Sequence, residues 1–236
     1  MSSFELPEPD YFERTHHGSF WRRRGDQPLL YRCRLRTLRR RAPGRVLLDV
    51  GSGEGFFAAA ALRAGFDAFG VDYLPEGVQR TAARIGARRT AYASGTQLPF
   101  QPETFHAVTA WDVLEHIPQP ADAVRELRRV LRRGGVLAFS TPNPDALSVR
   151  CRGRGSIQFS DDTHVSILRA AEWSDMLRHH AFRVEMIGGD SWWDPPYVPT
   201  WVPRRVWTGT AQLMMALRFA WPVSSGENTV VLARAV

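Results

Sequence analysis

The residues most able to do chemistry lie in VLLDVGSGEGFFAAA, residues 46–60. An apolar run meets Asp49, then Gly51, Ser52, Gly53 and Gly55, and then a helix-forming segment. Glycines at the carboxyl end of a buried strand let backbone approach a ligand, and the following helix start offers free N–H groups. A dinucleotide site wants G-x-G-x-x-G, whose third glycine would fall at position 56, where Phe56 stands. The spacing therefore fits a cofactor without a pyrophosphate. Asp49 adds a carboxylate suited to an ammonium rather than a phosphate. Asp72 ends a second strand pattern, 21 residues after Gly51. It can accept two ribose hydroxyls, or it can cap the helix that starts after Pro75.

A second set of chemical groups stands at Asp112-Val-Leu-Glu115-His116. If this turn is helical, positions i, i+3 and i+4 share a face. His116 could then act as a general base oriented by a carboxylate, or His116 and Glu115 could only brace the turn. Asp112, Glu115 and His116 could also bind a divalent cation, although three such ligands on one turn are not distinctive. The expectation is that no metal is bound. His164, after Asp161-Asp162-Thr163, is another base candidate. His16, His17 and Tyr11 lie on the N-terminal segment.

These residues need elements to position them. Strand and helix patterns alternate from residue 44 onward. Strands are expected at 46–50, 67–71, 90–93, 105–111, 136–140, 182–187 and 229–235. Helices are expected at 28–41, 58–63, 76–85, 121–132 and 170–180. Such alternation predicts an α/β fold with a largely parallel sheet and right-handed crossovers. Residues 1–43 read as an N-terminal cap and basic helix, and 44–236 as one domain with an aromatic insertion at about 189–227.

Five blocks, LLDVGSGEG, GVDYLPEGV, SGTQLPF, FHAVTAWDVLEHI and LRRVLRRGGVLAFSTPNP, resemble the class I S-adenosylmethionine-dependent methyltransferases. The most similar subgroup contains the ubiquinone and menaquinone pathway enzymes. HVSILRAAEWSDMLRHHAFRVEMI continues the likeness, which covers roughly residues 44–190. The resemblance implies a Rossmann-like, seven-stranded, mostly parallel sheet with an antiparallel last strand and helices on both faces. It implies S-adenosyl-L-methionine as cofactor. Asp49, Gly51, Ser52, Gly53 and Gly55 would line its methionine part, Asp72 would hold the ribose, and Tyr73 would lie beside the adenine. Thr96, Gln97 and Leu98 would follow the adenine edge, and Ala110 and Trp111 would end the fourth strand under the sulfonium. The family often has an acidic residue where Ser94 stands, and a hydroxyl accepts more weakly than a carboxylate.

Composition narrows the partner. The chain has 236 residues, 31 basic against 24 acidic, and a net charge of +7. It contains no lysine, so every one of those cations is an arginine. A compositional bias acting on the whole sequence can inflate arginine without an anionic partner. Cys33 and Cys151 match no metal or redox spacing, and the N-terminus carries no apolar leader. The expected location is cytoplasmic, with peripheral contact at the inner face of a membrane as an option. Five of eight tryptophans (Trp192, Trp193, Trp201, Trp207 and Trp221) fall in the insertion, where 203–221 reads as an amphipathic helix. A lid, a homodimer contact or a membrane dock would each use such a segment. All three point to a bulky small-molecule or lipid-linked acceptor. Asp194-Pro195-Pro196-Tyr197 spells a motif of DNA amino-methyltransferases, but it follows the sixth strand instead of the fourth, so it reads as a proline turn. Nucleic acid is not the expected partner. RNA methylation and a non-catalytic cofactor-binding scaffold are the competing readings.

Overall fold

The computed structural model describes residues 28–156, 159, 161–190, 220, 222–223 and 226–236. Tyr11, His16, His17, the aromatic segment from Ser191 to Phe219 and its proline motif lie outside them. Helix α1 (Pro28–Arg41) buries Leu30, Cys33, Arg34 and Leu38 on one stripe. It leads to β1 (Val46–Val50), whose run of apolar side chains reflects burial on both faces. Then follow α2 (Phe56–Arg63), β2 (Asp67–Asp72), α3 (Pro75–Ile85), β3 (Thr90–Tyr92), β4 (Phe105–Trp111), α4 (Pro120–Val130) and β5 (Leu131–Pro142). The last elements are α5 (Leu147–Arg152), α6 (Ala170–His179), β6 (Phe182–Asp190) and β7 (Asn228–Ala235). Pro75 and Pro120 occupy first-turn positions, where a missing N–H costs no helical bond.

The sheet order is β3-β2-β1-β4-β5-β7-β6. Strands β1 to β5 pair in parallel, and β7 runs antiparallel between β5 and β6. The α/β, Rossmann-like expectation holds. Alternate residues feed two cores. Leu47, Ala107, Val136 and Leu232 pack with α1 and α2 through Leu38, Phe57 and Ala61. Leu48, Val108, Leu137 and Val231 pack on the other side with Val124 and Leu127 of α4 and Trp173 and Leu177 of α6.

Several expected boundaries move. Helix α4 ends at Val130, because Leu131 already pairs with Phe105 and residues 132–135 bulge out before Val136 rejoins Ala107. Arg132 and Arg133 are therefore exposed on a strand bulge, not on a helix face. Helix α2 starts at Phe56, two residues early, from a left-handed Gly55. Strand β6 continues to Asp190, which pairs with Asn228, so the insertion begins at residue 191.

Candidate active site

The parallel strands bring Asp49, Asp72 and Trp111 to one edge of the sheet. Between β1 and α2, Gly51, Gly53 and Gly55 have φ values of +66°, +51° and +73°. At Gly51 a Cβ would also lie 2.3 Å from Val113 Cγ2, so glycine is demanded by conformation and by space. That contact joins the glycine turn to the loop that carries His116. Ser52 Oγ lies 2.9 Å from Thr81 Oγ1, which itself donates to the Gly53 carbonyl at 3.0 Å, so α3 braces the turn.

Asp72 Oδ2 accepts from the Gly53 N–H at 2.7 Å, and Oδ1 accepts from the Leu74 N–H at 2.9 Å. It makes no side-chain bond to the first turn of α3, so it ties the glycine turn to the end of β2 instead of capping the helix. Burial raises its pKa, and the backbone hydrogen bonds oppose the rise. Asp49 is buried and takes the Thr109 hydroxyl at 2.7 Å. Burial pushes its pKa up to about 7, with Asp72 adding to the rise and Thr109 and Arg34 opposing it. A buried carboxyl held near neutrality at a glycine turn fits a ligand ammonium, whose charge would return it to the anion.

Tyr73 stacks on Tyr92 at 5.8 Å, an aromatic platform at the ends of β2 and β3. Ser94 Oγ bonds Thr96, and the Gln97 N–H donates to the Ser94 carbonyl, which makes a tight turn beside that platform. Thr96 and Gln97 are exposed there. Leu98, the third residue expected along the adenine edge, is buried. Its side chain packs in the core, and its N–H donates to Glu126 Oε1 at 2.7 Å. Ala110 is buried, and the Trp111 ring carries the Arg34 guanidinium 3.8 Å above it.

The second chemical set regroups. Leu114–His116 is a short 3₁₀ turn, so Asp112 does not share a face with Glu115 and His116. Asp112 has φ +55°, and its Oδ1 accepts from Ser140 Oγ at 2.9 Å and Asn228 Nδ2 at 2.8 Å. His164 lies beside His116. The Val165 and Ser166 N–H groups both donate to the Glu115 carbonyl at 2.9 Å, and Ser166 Oγ donates to the Ile117 carbonyl at 2.7 Å. These bonds hold His164 against His116, with ring centroids 4.9 Å apart.

Ligand atoms of Glu115, His116 and His164 all lie within 4.8 Å of one another. Two imidazoles and a carboxyl are donors that suit a divalent transition metal. Glu115 is fully buried, and neither carboxyl oxygen has a hydrogen-bond partner among the described residues. Burial, then Asp112, lifts its pKa well above the usual range, which disfavours the carboxylate form. His116 is pushed down to about 4, first by burial and then by His164, so its ring is neutral at pH 7.

Several site residues carry no motif. Arg34 is buried and donates to Asp190 Oδ2 at 2.6 Å. Its place at i+4 between Leu30 and Leu38, on the apolar stripe of α1, was the available signal. Thr109, Thr81, Asp161 and Thr163 are found only through the tertiary fold.

A family model described as a methyltransferase domain matches residues 20–186. A ubiquinone biosynthesis O-methyltransferase from Aliivibrio fischeri (strain ATCC 700601 / ES114) is 30% identical over 163 residues, 62% of this chain and 67% of that protein. An uncharacterized methyltransferase from Mycobacterium sp. (strain KMS) is 42% identical over 98 residues, 41% of this chain and 38% of that protein. The chain thus spans under two fifths of the length of the first such relatives it matches. A solved S-adenosylmethionine-dependent methyltransferase from Archaeoglobus fulgidus superposes with a TM-score of 0.66 at 17% identity, covering 95% of this chain and 100% of that one. A possible histamine N-methyltransferase from Thermotoga maritima gives 0.65 at 16%, covering 96% and 98%. The left-handed glycine turn, the two strand-end aspartates and these matches lead to one assignment: the chain belongs to the methyltransferase-domain family, the S-adenosylmethionine-dependent class of the Rossmann-like fold.

Proposed function

We propose that the chain methylates an oxygen of a small or lipid-linked acceptor, with His116 as the base. The observation that carries this reading is the neutral, buried imidazole of His116 at the turn whose Val113 packs on Gly51. The base and the cofactor turn therefore share one wall. When bound, S-adenosyl-L-methionine supplies a methyl group on a positive sulfur, and the protein's task is orientation and proton removal. Asp49 would hold the ammonium, and Asp72 and the Tyr73–Tyr92 pair would hold the nucleoside. His116 would take the acceptor proton, and His164 would contribute the second wall of the imidazole pocket.

The oxygen acceptor draws on the Aliivibrio fischeri relative, which is named as an O-methyltransferase. Exposed Val165, beside His164, and exposed Leu147 on α5 offer apolar approach surface. The aromatic segment would serve as lid, dimer contact or membrane dock. Among the described residues no helix is long and apolar enough to cross a membrane. The test is methyl transfer from labelled cofactor into small-molecule and lipid extracts, with calorimetry of cofactor binding. His116→Ala and His164→Ala should each lower turnover at least about tenfold while cofactor affinity stays within about twofold. Wild-type turnover in both variants discards His116 as base. Binding without any transfer would favour the scaffold reading.

A further inference from the structure

The loop between β3 and β4 is held at both ends by other elements. At its start, the Ala93 N–H donates to the Asp72 carbonyl at 3.0 Å. At its far end, the partners come from α4. Glu126 Oε1 accepts from the Leu98 N–H at 2.7 Å. Arg129 Nη2 donates to the Leu98 carbonyl at 3.0 Å, and Nη1 to the Phe100 carbonyl at 2.8 Å. The two side chains are also locked to each other. Arg129 Nε donates to Glu126 Oε2 at 2.8 Å, and Nη2 to Oε1 at 2.7 Å. The guanidinium, against burial and with help from the Leu98 N–H, holds the Glu126 carboxyl below the usual carboxylate range.

An i, i+3 ion pair on a helix usually faces water and contributes little. This one offers an acceptor and two donors to three backbone groups of another segment, the service a neighbouring strand would perform. Residues 94–97 hang between the two fixings. The Gln97 N–H donates to the Ser94 carbonyl at 3.0 Å, and the Thr96 N–H to Ser94 Oγ at 3.2 Å, which closes the turn. A Cβ at Gly95 would lie 3.0 Å from Ile117 Cδ1 and 3.7 Å from Val50 Cγ1. The turn therefore leans on the end of β1 and on the residue after His116, with Thr96 and Gln97 exposed. Leu98 is the pivot, with its side chain in the core and both backbone polar groups taken by α4.

We infer that Glu126 and Arg129 are positioning residues that hold the 94–97 turn against the cofactor's nucleobase and so set the site's preference for adenine. The inference rests on the reading of Thr96 and Gln97 as the adenine edge. Neither α4 side chain belongs to the base-facing set, and both act through the Leu98 and Phe100 backbone. A turn free to shift can pair with either of two base edges and so binds both. A fixed turn leaves a polar group unpaired against the wrong edge, and that mismatch is what discriminates. Leu98 and Phe100 are anchored by apolar packing as well, so loss of the ion pair loosens the turn without undocking the loop.

The experiment compares S-adenosyl-L-homocysteine with S-inosyl-L-homocysteine by calorimetry on the full chain. In the inosyl ligand an oxygen replaces the adenine amino group and N1 carries a hydrogen. The wild-type chain should bind the adenosyl ligand at least about tenfold more tightly. Arg129→Leu should weaken adenosyl binding at least about fivefold and bring the two ligands within about threefold of each other. Glu126→Gln keeps an acceptor for the Leu98 N–H but loses the ion pair, so its preference should fall between, and it carries the test if Arg129→Leu does not fold. Arg234→Leu is the control for stability alone. Arg234 also joins elements, through Glu185 and the Arg41 and Gly134 carbonyls, but it pairs with Val136 at the start of β5, the opposite end of the sheet from the site. Its loss should lower the melting temperature and leave the base preference unchanged. Amide exchange at Leu98 in the ligand-free chain should be slow in the wild type and in Arg234→Leu, and faster in both α4 variants. A wild-type base preference retained in the folded α4 variants overturns the inference and leaves the adenine-edge reading standing. A wild-type chain that binds both ligands equally overturns both.

Discussion

Asp49 sets a conflict between stability and binding. Its folded pKa is about 7, against an ordinary value of 3.8, with burial as the main cause. The folded chain therefore holds a proton that the unfolded chain has released between about pH 4 and 7. By linkage, this carboxyl destabilises the ligand-free protein as pH rises through that window. Cofactor binding has the opposite sign, because an ammonium needs the anion. Affinity should fall as pH drops below 7, approaching about tenfold per pH unit, and calorimetry between pH 5 and 8 reads the slope. Asp49→Asn should flatten that slope, weaken binding, and raise the melting temperature of the ligand-free protein at pH 8. Gly51→Ala should abolish binding for a steric reason, since its methyl group meets Val113 at 2.3 Å in a left-handed conformation. A cofactor titration of the alanine variant with wild-type affinity would contradict this.

Elements, more than single motifs, decide what the site looks like. Helix α1 is locked to the end of β6 by the buried Arg34–Asp190 pair, whose side chains are 6% and 1% exposed. Removing Arg34 takes the ion-pair partner from a buried carboxylate, so Arg34→Leu should lower stability measurably in urea denaturation. Arg34→Leu with Asp190→Leu should recover most of that loss, because an apolar pair avoids desolvation. This ion pair also shows where sequence reading stops. The β1–glycine turn–α2 unit, Asp72 at the end of β2 and the alternation of strands and helices are local or periodic features, and they were legible. Strand burial writes itself as apolar runs, and parallel crossovers follow from alternation. The grouping of Glu115 and His116 with His164 was not legible, because it depends on two amides donating to one carbonyl across the fold. Asp112 was misplaced for a related reason. A helical turn was assumed where the chain takes a left-handed residue and a 3₁₀ turn. Arg34 was read only as part of a basic helix, although its position on the apolar stripe of α1 marked it as buried.

At the scale of the whole molecule, several of the described arginines are engaged in ion pairs that join elements. Arg80 pairs with Glu54 and Glu76, Arg129 with Glu126, and Arg41 and Arg234 with Glu185. Arg234 also reaches the carbonyls of Arg41 and Gly134, and Arg129 those of Leu98 and Phe100. A guanidinium fork can bridge several acceptors at once, which suits it to joining elements. Cations engaged in this way release few counterions when a polyanion approaches. RNA affinity should therefore be weak, with a shallow dependence on salt in a filter-binding series. A steep salt slope would revive the RNA reading.

Placing β7 between β5 and β6 has a further consequence. Asp190 and Asn228 are cross-strand partners, so residues 191–227 leave the sheet and return to it about 5 Å apart. Both attachment points lie at the edge where the glycine turn and Asp112 stand, and Asn228 itself donates to Asp112. The return to the sheet is tied down at Val223 and Gly226, whose carbonyls accept from Asn143 Nδ2. Between Asp190 and that tie, length and composition can be rewritten, or a foreign loop grafted in, with no change of strand register. In the proposed reading the sheet would keep the chemistry constant while the graft sets the acceptor.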